Sequence, residues 1–300
     1  MLNNIESIIS ERDGEYDTCT ADGKRLYKKE FRTVDEFMDK VKANGWYHAE
    51  RNSSWIFGDY KGKDLKDSRR ILEDVLRMGD AKDKIMERVE NMRTEFTVEY
   101  PEIFSNTGFS MKRKRRIRED GDELNLDRVM AGVPECWERV ERNTKQKAIT
   151  LGINGSMAGF NGTDTFAQLC ALAILTSDVL SKRGVATRVM YVCSSYNIFA
   201  GNDEVAFSFP LKEFDEPLDI KRIGTYYAQG IFRDYGFGIR EFGFENKRLR
   251  SYGSSPPSSQ NMIEFLGLDY LLECKCGNDS FGNVVQNFIT SIMEELSNLQ

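Results

Sequence analysis

A single histidine, His48, stands among the 300 residues of the chain. Chemistry that needs two imidazoles is therefore excluded. A serine–histidine–aspartate, cysteine–histidine or multi-histidine metal mechanism has to pass through that one side chain. His48 follows Trp46 and Tyr47 and precedes Trp55 in an aromatic stretch. It is a candidate general base, although a lone histidine in such surroundings is more often packed or at the surface. Six cysteines (Cys19, Cys136, Cys170, Cys193, Cys274, Cys276) include no C-x-x-C pair. Cys274 and Cys276 share a face at the end of an expected strand, but two thiols cannot complete a tetrahedral zinc site. Most of the six read as buried, reduced thiols. The carboxylate pairs Asp215-Glu216 and Glu294-Glu295 are sequence neighbours. At least the helical pair diverges in direction, which suits solubility better than acid–base work.

Two segments carry more. Residues 154–162 read Asn-Gly-Ser-Met-Ala-Gly-Phe-Asn-Gly. The spacing of Gly152, Gly155, Gly159 and Gly162 matches neither G-x-G-x-x-G nor G-x-x-x-x-G-K-[ST], and no lysine follows to meet a phosphate, so nucleotide binding is not expected. Residues 112–118 place six basic side chains in seven positions (Lys112, Arg113, Lys114, Arg115, Arg116, Arg118), and an acidic run follows at 119–123. Such a block cannot be buried. It reads as a solvated linker or hairpin whose two arms partly neutralise each other, with contact to phosphates or to an acidic protein partner as the alternative. The block has no interleaved aromatics, so sequence-specific reading of nucleic acid is not expected.

These residues need elements to position them. A chain of this length predicts two domains as a prior. With 40% hydrophobic and 30% charged residues and six prolines it has an ordinary globular composition. The net charge of −6 argues against a surface that grips nucleic acid or an anionic membrane throughout. That charge is unevenly spread: residues 1–150 carry net −1 at high charge density, and residues 151–300 carry net −5 on an apolar background. The N-terminus lacks a basic region followed by an apolar run, and no stretch of about 18 apolar residues occurs, so neither secretion nor membrane spanning is expected.

Residues 1–30 predict a short helix and then a hairpin or loop around Asp13-Gly14 and Asp22-Gly23. Thr33 with Glu36 forms a capping box for a helix that ends near Asn44-Gly45. Helical periodicity returns at 68–77 and 81–96. A mostly helical domain over 1–105, a connector over 106–126 and an α/β domain over 127–300 follow from this pattern. In the last, a helix interrupted near Gly132 is expected over 127–142, strands at 147–153, 185–193, 204–209 (an edge candidate) and 268–274, and helices at 163–182, 219–233 and 281–296. Strand alternating with helix implies layers around a mainly parallel, Rossmann-like sheet. Ligands of such sheets bind at the carboxyl ends of strands, which directs attention to the loop after Ile153.

There the chain resembles the von Willebrand factor A-type domain, whose first strand ends in a D-x-S-x-S metal motif before a long helix. The matching positions are Asn154, Ser156 and Ala158, with Thr225 in place of the family's threonine loop and Asp164 or Asp203 as carboxylate candidates. An amide replaces the acid and a methyl the last hydroxyl, so the resemblance implies a degenerate magnesium site, with no metal and no other cofactor. A wider likeness over about 33–300 rests on the run 127–137 (Asp-Arg-Val-Met-Ala-Gly-Val-Pro-Glu-Cys-Trp), the 147 strand, the Ser156 turn, and Ser54-Trp55 with Gly58. It resembles a family of uncharacterised tailed-phage and prophage proteins. That resemblance implies a viral origin and no activity; the A-type likeness, the eroded metal motif and the single histidine together lead to the expectation of a host-cytoplasmic protein that binds a protein partner, a host complex or a phage protein, without catalysis. Inhibition of a host anti-phage defence complex, Gabija-type as one instance, is the favoured role, and a homo-oligomer is compatible with it. The alternatives are a metal-dependent phosphoryl-transfer or nucleic-acid hydrolase built on the loop after Ile153, a phage structural or assembly protein, and a nucleic-acid scaffold using 112–118.

Overall fold

A computed structural model describes residues 11–13, 16–21, 23–78, 83–99, 101, 115–118, 123–133, 136–140, 148–155, 163–182, 185–197, 203–225, 230–244, 259–272 and 291. The strands among them are β1 (Glu11–Asp13), β2 (Tyr16–Ala21), β3 (Lys24–Glu30), β4 (Arg115–Arg118), β5 (Glu123–Leu124), β6 (Trp137–Val140), β7 (Ala148–Asn154), β8 (Ala186–Asn197), β9 (Asp203–Lys212) and β10 (Tyr270–Leu272). The helices are α1 (Val34–Asn44), α2 (Ser54–Phe57), α3 (Leu65–Met78), α4 (Asp83–Glu99), α5 (Leu126–Met130), α6 (Thr163–Lys182), α7 (Ile220–Thr225), α8 (Phe237–Phe242) and α9 (Gln260–Phe265). A π-helical turn, Ile231–Gly236, runs directly into α8.

The apolar runs make the middle of a seven-stranded sheet ordered β1-β2-β3-β9-β8-β7-β10. Every residue of β7 after Ala148 is buried, as expected of a strand covered on both faces. It lies parallel to β8 on one side and to β10 on the other. The β8–β9 junction is antiparallel, so among the strands of 127–300 two of three junctions are parallel. Helix α6 crosses between β7 and β8, and its residues 170–177 are buried all round, which marks a core helix rather than an amphipathic one.

The expected boundary between two domains does not separate two cores. Strands β2 and β3 form the expected hairpin, and β3 pairs in parallel with β9, Leu26 opposite Glu204. The N-terminal segment thus extends the same sheet, and β9 is an interior strand rather than an edge. One core joins Phe37, Met38, Leu72 and Val89 from the first half to Leu151, Ile174, Tyr191 and Phe207 from the second. The opposite face packs Met190, Val192 and Ala206 beneath Met262 of α9. The alternation of Val189, Tyr191 and Cys193 with Met190 and Val192 along β8 is what supplies two apolar faces. Helix α9 is tied to the sheet by Ser259, whose hydroxyl and N–H both donate to the buried Glu204 carboxylate.

Other expectations are met or corrected locally. Thr33 Oγ1 accepts from Glu36 N–H as expected, while the Glu36 carboxylate accepts from Arg32 N–H, one residue before the cap, rather than from Thr33; α1 ends at Gly45 as read. The helix expected over 127–142 is only α5. After a turn at Gly132 the chain becomes β6, because Trp137–Val140 pairs with β4 and β5 in a separate three-stranded sheet ordered β4-β6-β5. The helix expected over 219–233 is α7 and then a second helical run that continues to Phe242, since Ile231, Phe232, Tyr235, Phe237 and Ile239 all find the core. Among the described residues no helix is long and apolar enough to cross a membrane. The expected helix over 281–296 falls, apart from residue 291, outside the described residues.

Candidate functional site

The chain leaves β7 through α6 to β8 on one side and returns much later to β10 on the other. The strand order therefore reverses at the β7/β10 junction, and open α/β sheets bind ligands outside the carboxyl ends at such a point. Asn154 ends β7 there, 6% exposed, with its Nδ2 donating to Ser194 Oγ at 3.3 Å. Gly155 N–H donates to the Val192 carbonyl at 2.7 Å. A Cβ at Gly155 would overlap the Tyr191 ring and hydroxyl, so only glycine lets the chain leave the strand this closely. Burial holds the Tyr191 hydroxyl well above the usual phenol range, and its ring stacks on Phe209 at 4.8 Å.

The sequence-derived metal set does not assemble around Asn154 among the described residues. Thr225, fully buried at the end of α7, donates its hydroxyl to the Arg222 carbonyl at 2.6 Å, so its proton serves its own helix. Asp203 accepts from Arg25 N–H at 3.2 Å and pins the β2–β3 hairpin to β9. Glu216 of the Asp215-Glu216 pair accepts from Glu213 N–H at 2.9 Å and faces Arg222 at 3.7 Å. Ser156, Ala158, Cys274, Cys276 and the Glu294-Glu295 pair lie outside the described residues, as does the Asp164 side chain. Among the described residues no three His, Cys, Asp or Glu side chains gather where a metal ion would be held. An amide beside a hydroxyl, with no carboxylate near them among the described residues, does not fit magnesium. Of the basic cluster, Lys112, Arg113 and Lys114 lie outside the described residues, while Arg115, Arg116 and Arg118 belong to β4.

A second polar centre was not evident from motifs. Residues 46–49 cross the run 231–242, and Asp234 lies fully buried at the crossing. Its carboxylate accepts from Arg69 Nε at 2.7 Å, Arg69 Nη2 at 3.0 Å and Ala49 N–H at 2.8 Å, and its main-chain carbonyl accepts from His48 N–H at 3.1 Å. The Arg69 guanidinium also donates to the Ala49 carbonyl at 2.9 Å and lies over the Tyr47 ring at 4.1 Å. About two turns on, His48 Nδ1 is 3.1 Å from Glu241 Oε2, with its ring edge-on to Phe237. Gly238 makes the crossing possible: a Cβ there would overlap the Trp46 carbonyl.

A histidine held by a carboxylate is the arrangement of an oriented base. Its neighbourhood does not complete a catalytic set. Cys193 is fully buried, and burial pushes its thiol up to about 11, the nearby Arg240 guanidinium offsetting only part of that rise, so it is a neutral thiol and not a nucleophilic thiolate. Arg240 lies beside the Phe237 ring at 5.5 Å, and burial draws its pKa down. Lys29 donates to the Gly243 carbonyl at 3.0 Å and sits over Trp46 at 4.3 Å. The centre is a brace between the first third of the chain and the 231–244 segment. Its sequence signal was the occurrence of Arg233, Asp234, Arg240 and Glu241 inside an otherwise aromatic and apolar run, where charge is buried only when paired.

No curated protein and no solved structure matches the chain. A family model described as a domain of unknown function, DUF7192, matches residues 10–296, and the chain belongs to that family.

Proposed function

We propose that the protein works by binding another protein rather than by catalysis. The observation that carries this reading is Trp55. Its side chain is 59% exposed, yet the Arg233 guanidinium lies 4.4 Å over its ring and donates to its main-chain carbonyl. Arg233 is itself buried, and burial draws its pKa down. An exposed tryptophan is thus held in place before any partner arrives. Tryptophan and arginine dominate interface hot spots, and an anchor already ordered loses less entropy on binding.

Further support comes from β7, which ends at Asn154 and is followed by the 20-residue α6, an arrangement consistent with a degenerate von Willebrand A-like unit. Domains of that type generally act by binding partners. Together with the resemblance to tailed-phage proteins, this makes the partner a host protein complex of the host cytoplasm, an anti-phage defence assembly such as Gabija being one instance. Purified protein incubated with host lysate is expected to retain a defined host complex, and Trp55→Ala to lose it at unchanged thermal stability. Presence in purified virions with no host complex retained would overturn the role. Millimolar magnesium or manganese binding that Ser156→Ala abolishes would favour the metal-dependent hydrolase instead.

A further inference from the structure

Ala49 and Trp55 are six positions apart in the chain, yet consecutive residues of the π-helical turn hold them. Asp234 accepts from Ala49 N–H at 2.8 Å, and Arg233 donates to the Trp55 carbonyl. Neighbouring Cα atoms are about 3.8 Å apart, so the turn closes the stretch 49–55 into a loop at its stem. Between the two ends Glu50, Arg51 and Ser54 are exposed. Asn52 is tied to the chain around the start of α3: its Nδ2 donates to the Gly62 carbonyl at 2.9 Å, and its Oδ1 accepts from Ser68 Oγ at 2.8 Å.

Trp55 itself lies on α2, a helix of four residues. A helix that short has no stability of its own, so tertiary contacts must fix it. Its backbone is fixed by the Ser53 cap and by Ile56 and Phe57, both buried. Phe57 packs against Gly230, where a Cβ would come within 3.1 Å of the ring. These contacts leave the indole on the exposed side, under the Arg233 guanidinium. The direction of a long side chain follows the backbone that carries it, and that backbone is locked one residue further on. Arg69 Nε and Nη2 both donate to the Asp234 carboxylate, and Nη2 donates also to the Ala49 carbonyl. Arg69 therefore joins α3, the start of the loop and the turn that carries Arg233, while among the described residues none of its hydrogen bonds goes to Trp55.

We infer that Arg69 is a positioning residue for the Trp55 anchor: by pairing with Asp234 it fixes the turn from which Arg233 holds the indole. The inference rests on the reading of Trp55 as the residue that meets the partner. It extends that reading from one side chain to a loop closed at its stem, which has already lost the freedom that binding would otherwise remove. A brace that served the fold alone would need the pair of Arg69 and Asp234. It would not need the next residue to bury a guanidinium beneath an exposed indole, since burying such a charge is costly.

The test is fluorine NMR of the full chain with its three tryptophans labelled as fluorotryptophan, the Trp55 resonance being assigned with Trp55→Phe. Arg233→Gln marks where that resonance lies once the guanidinium no longer covers the ring. Arg69→Gln is expected to move it most of the way to that position. Arg69→Lys should move it part of the way, because an ammonium keeps the charge without the fork. Met262→Ala truncates the core on the opposite face of the sheet and controls for general loosening, and it is expected to leave the resonance in place. If Arg69→Gln does not fold, Arg69→Lys, which keeps a cation against Asp234, decides the question. A resonance unmoved in the folded Arg69 variants, or displaced equally by Met262→Ala, would overturn the inference. The readout needs no partner, so its failure is distinct from that of the retention experiment: a host complex lost in Trp55→Ala, beside an unmoved resonance in the Arg69 variants, would keep the anchor and remove its positioning by Arg69.

Discussion

The crossing at Asp234 and the carboxyl end of β7 at Asn154 are both buried polar places, yet they are built from different chemistry. At the crossing the groups are ionisable side chains, each with a partner brought from more than a hundred residues away: Arg69 meets Asp234 and His48 meets Glu241. At the strand end they are neutral: an amide on a serine hydroxyl, a phenol raised by burial, and a glycine that lets the chain pass. Paired charges in a low-dielectric interior punish the loss of either partner, so the first centre is fixed by the fold. Neutral hydrogen bonds contribute about 1 kcal/mol each, so the second tolerates change.

Substitutions should reproduce that ranking. Asp234→Ala strands the Arg69 guanidinium and the Ala49 N–H together, and urea unfolding is expected to show a loss of about 3–5 kcal/mol. A loss below about 1 kcal/mol would mean that the brace does not hold the two segments together.

Alkaline pH probes the same region from the apolar side. The unfolded Cys193 thiol ionises near its ordinary value of 9.0 and the folded one near 11, so below pH 9 both states keep the proton and nothing is lost. As pH rises through that window the unfolded chain releases its proton first, and stability falls by up to about 3 kcal/mol. Tyr47 and Tyr235, also raised by burial, act in the same direction at higher pH. Thermal melts between pH 8 and 11 should therefore decline, and Cys193→Ala should flatten the first part of the decline.

Gly238→Ala sharpens the comparison by testing the backbone approach rather than the charges. Its Cβ meets the Trp46 carbonyl, and overpacking of this kind costs about 1–3 kcal/mol, readable by the same urea titration. The smallest effect is expected at the strand end. Asn154→Ala removes the bond to Ser194 and should lower stability by only about 1 kcal/mol. A loss as large as that of Asp234→Ala would erase the distinction between the two places.

What the sequence revealed follows the same line. Short-range patterns are sufficient for α1 with its Thr33 cap, for α6, and for β7, β8 and β10, whose apolar runs are their own signal. Pairings across long separations were not readable. The interior position of β9 depends on β3, 178 residues from it at the Arg25–Asp203 contact. Strand β6 falls inside the helix expected over 127–142 because Trp137–Val140 carries no periodicity of its own and is set by β4. At the site, Asn154 stands where the strand was expected to end. Thr225 does not join it, because a hydroxyl in a helix can bond back to its own carbonyl and nothing in the sequence distinguishes that from a ligand. The brace is hidden for the opposite reason: its charges belong to no motif, and their partners are distant along the chain.

The most direct test of the central claim, that this protein binds rather than catalyses, is a side-by-side retention experiment with wild type and Trp55→Ala at matched thermal stability. The account predicts a stoichiometric host complex on the wild-type chain that Trp55→Ala loses. Equal retention by both chains, or none by either, would contradict it.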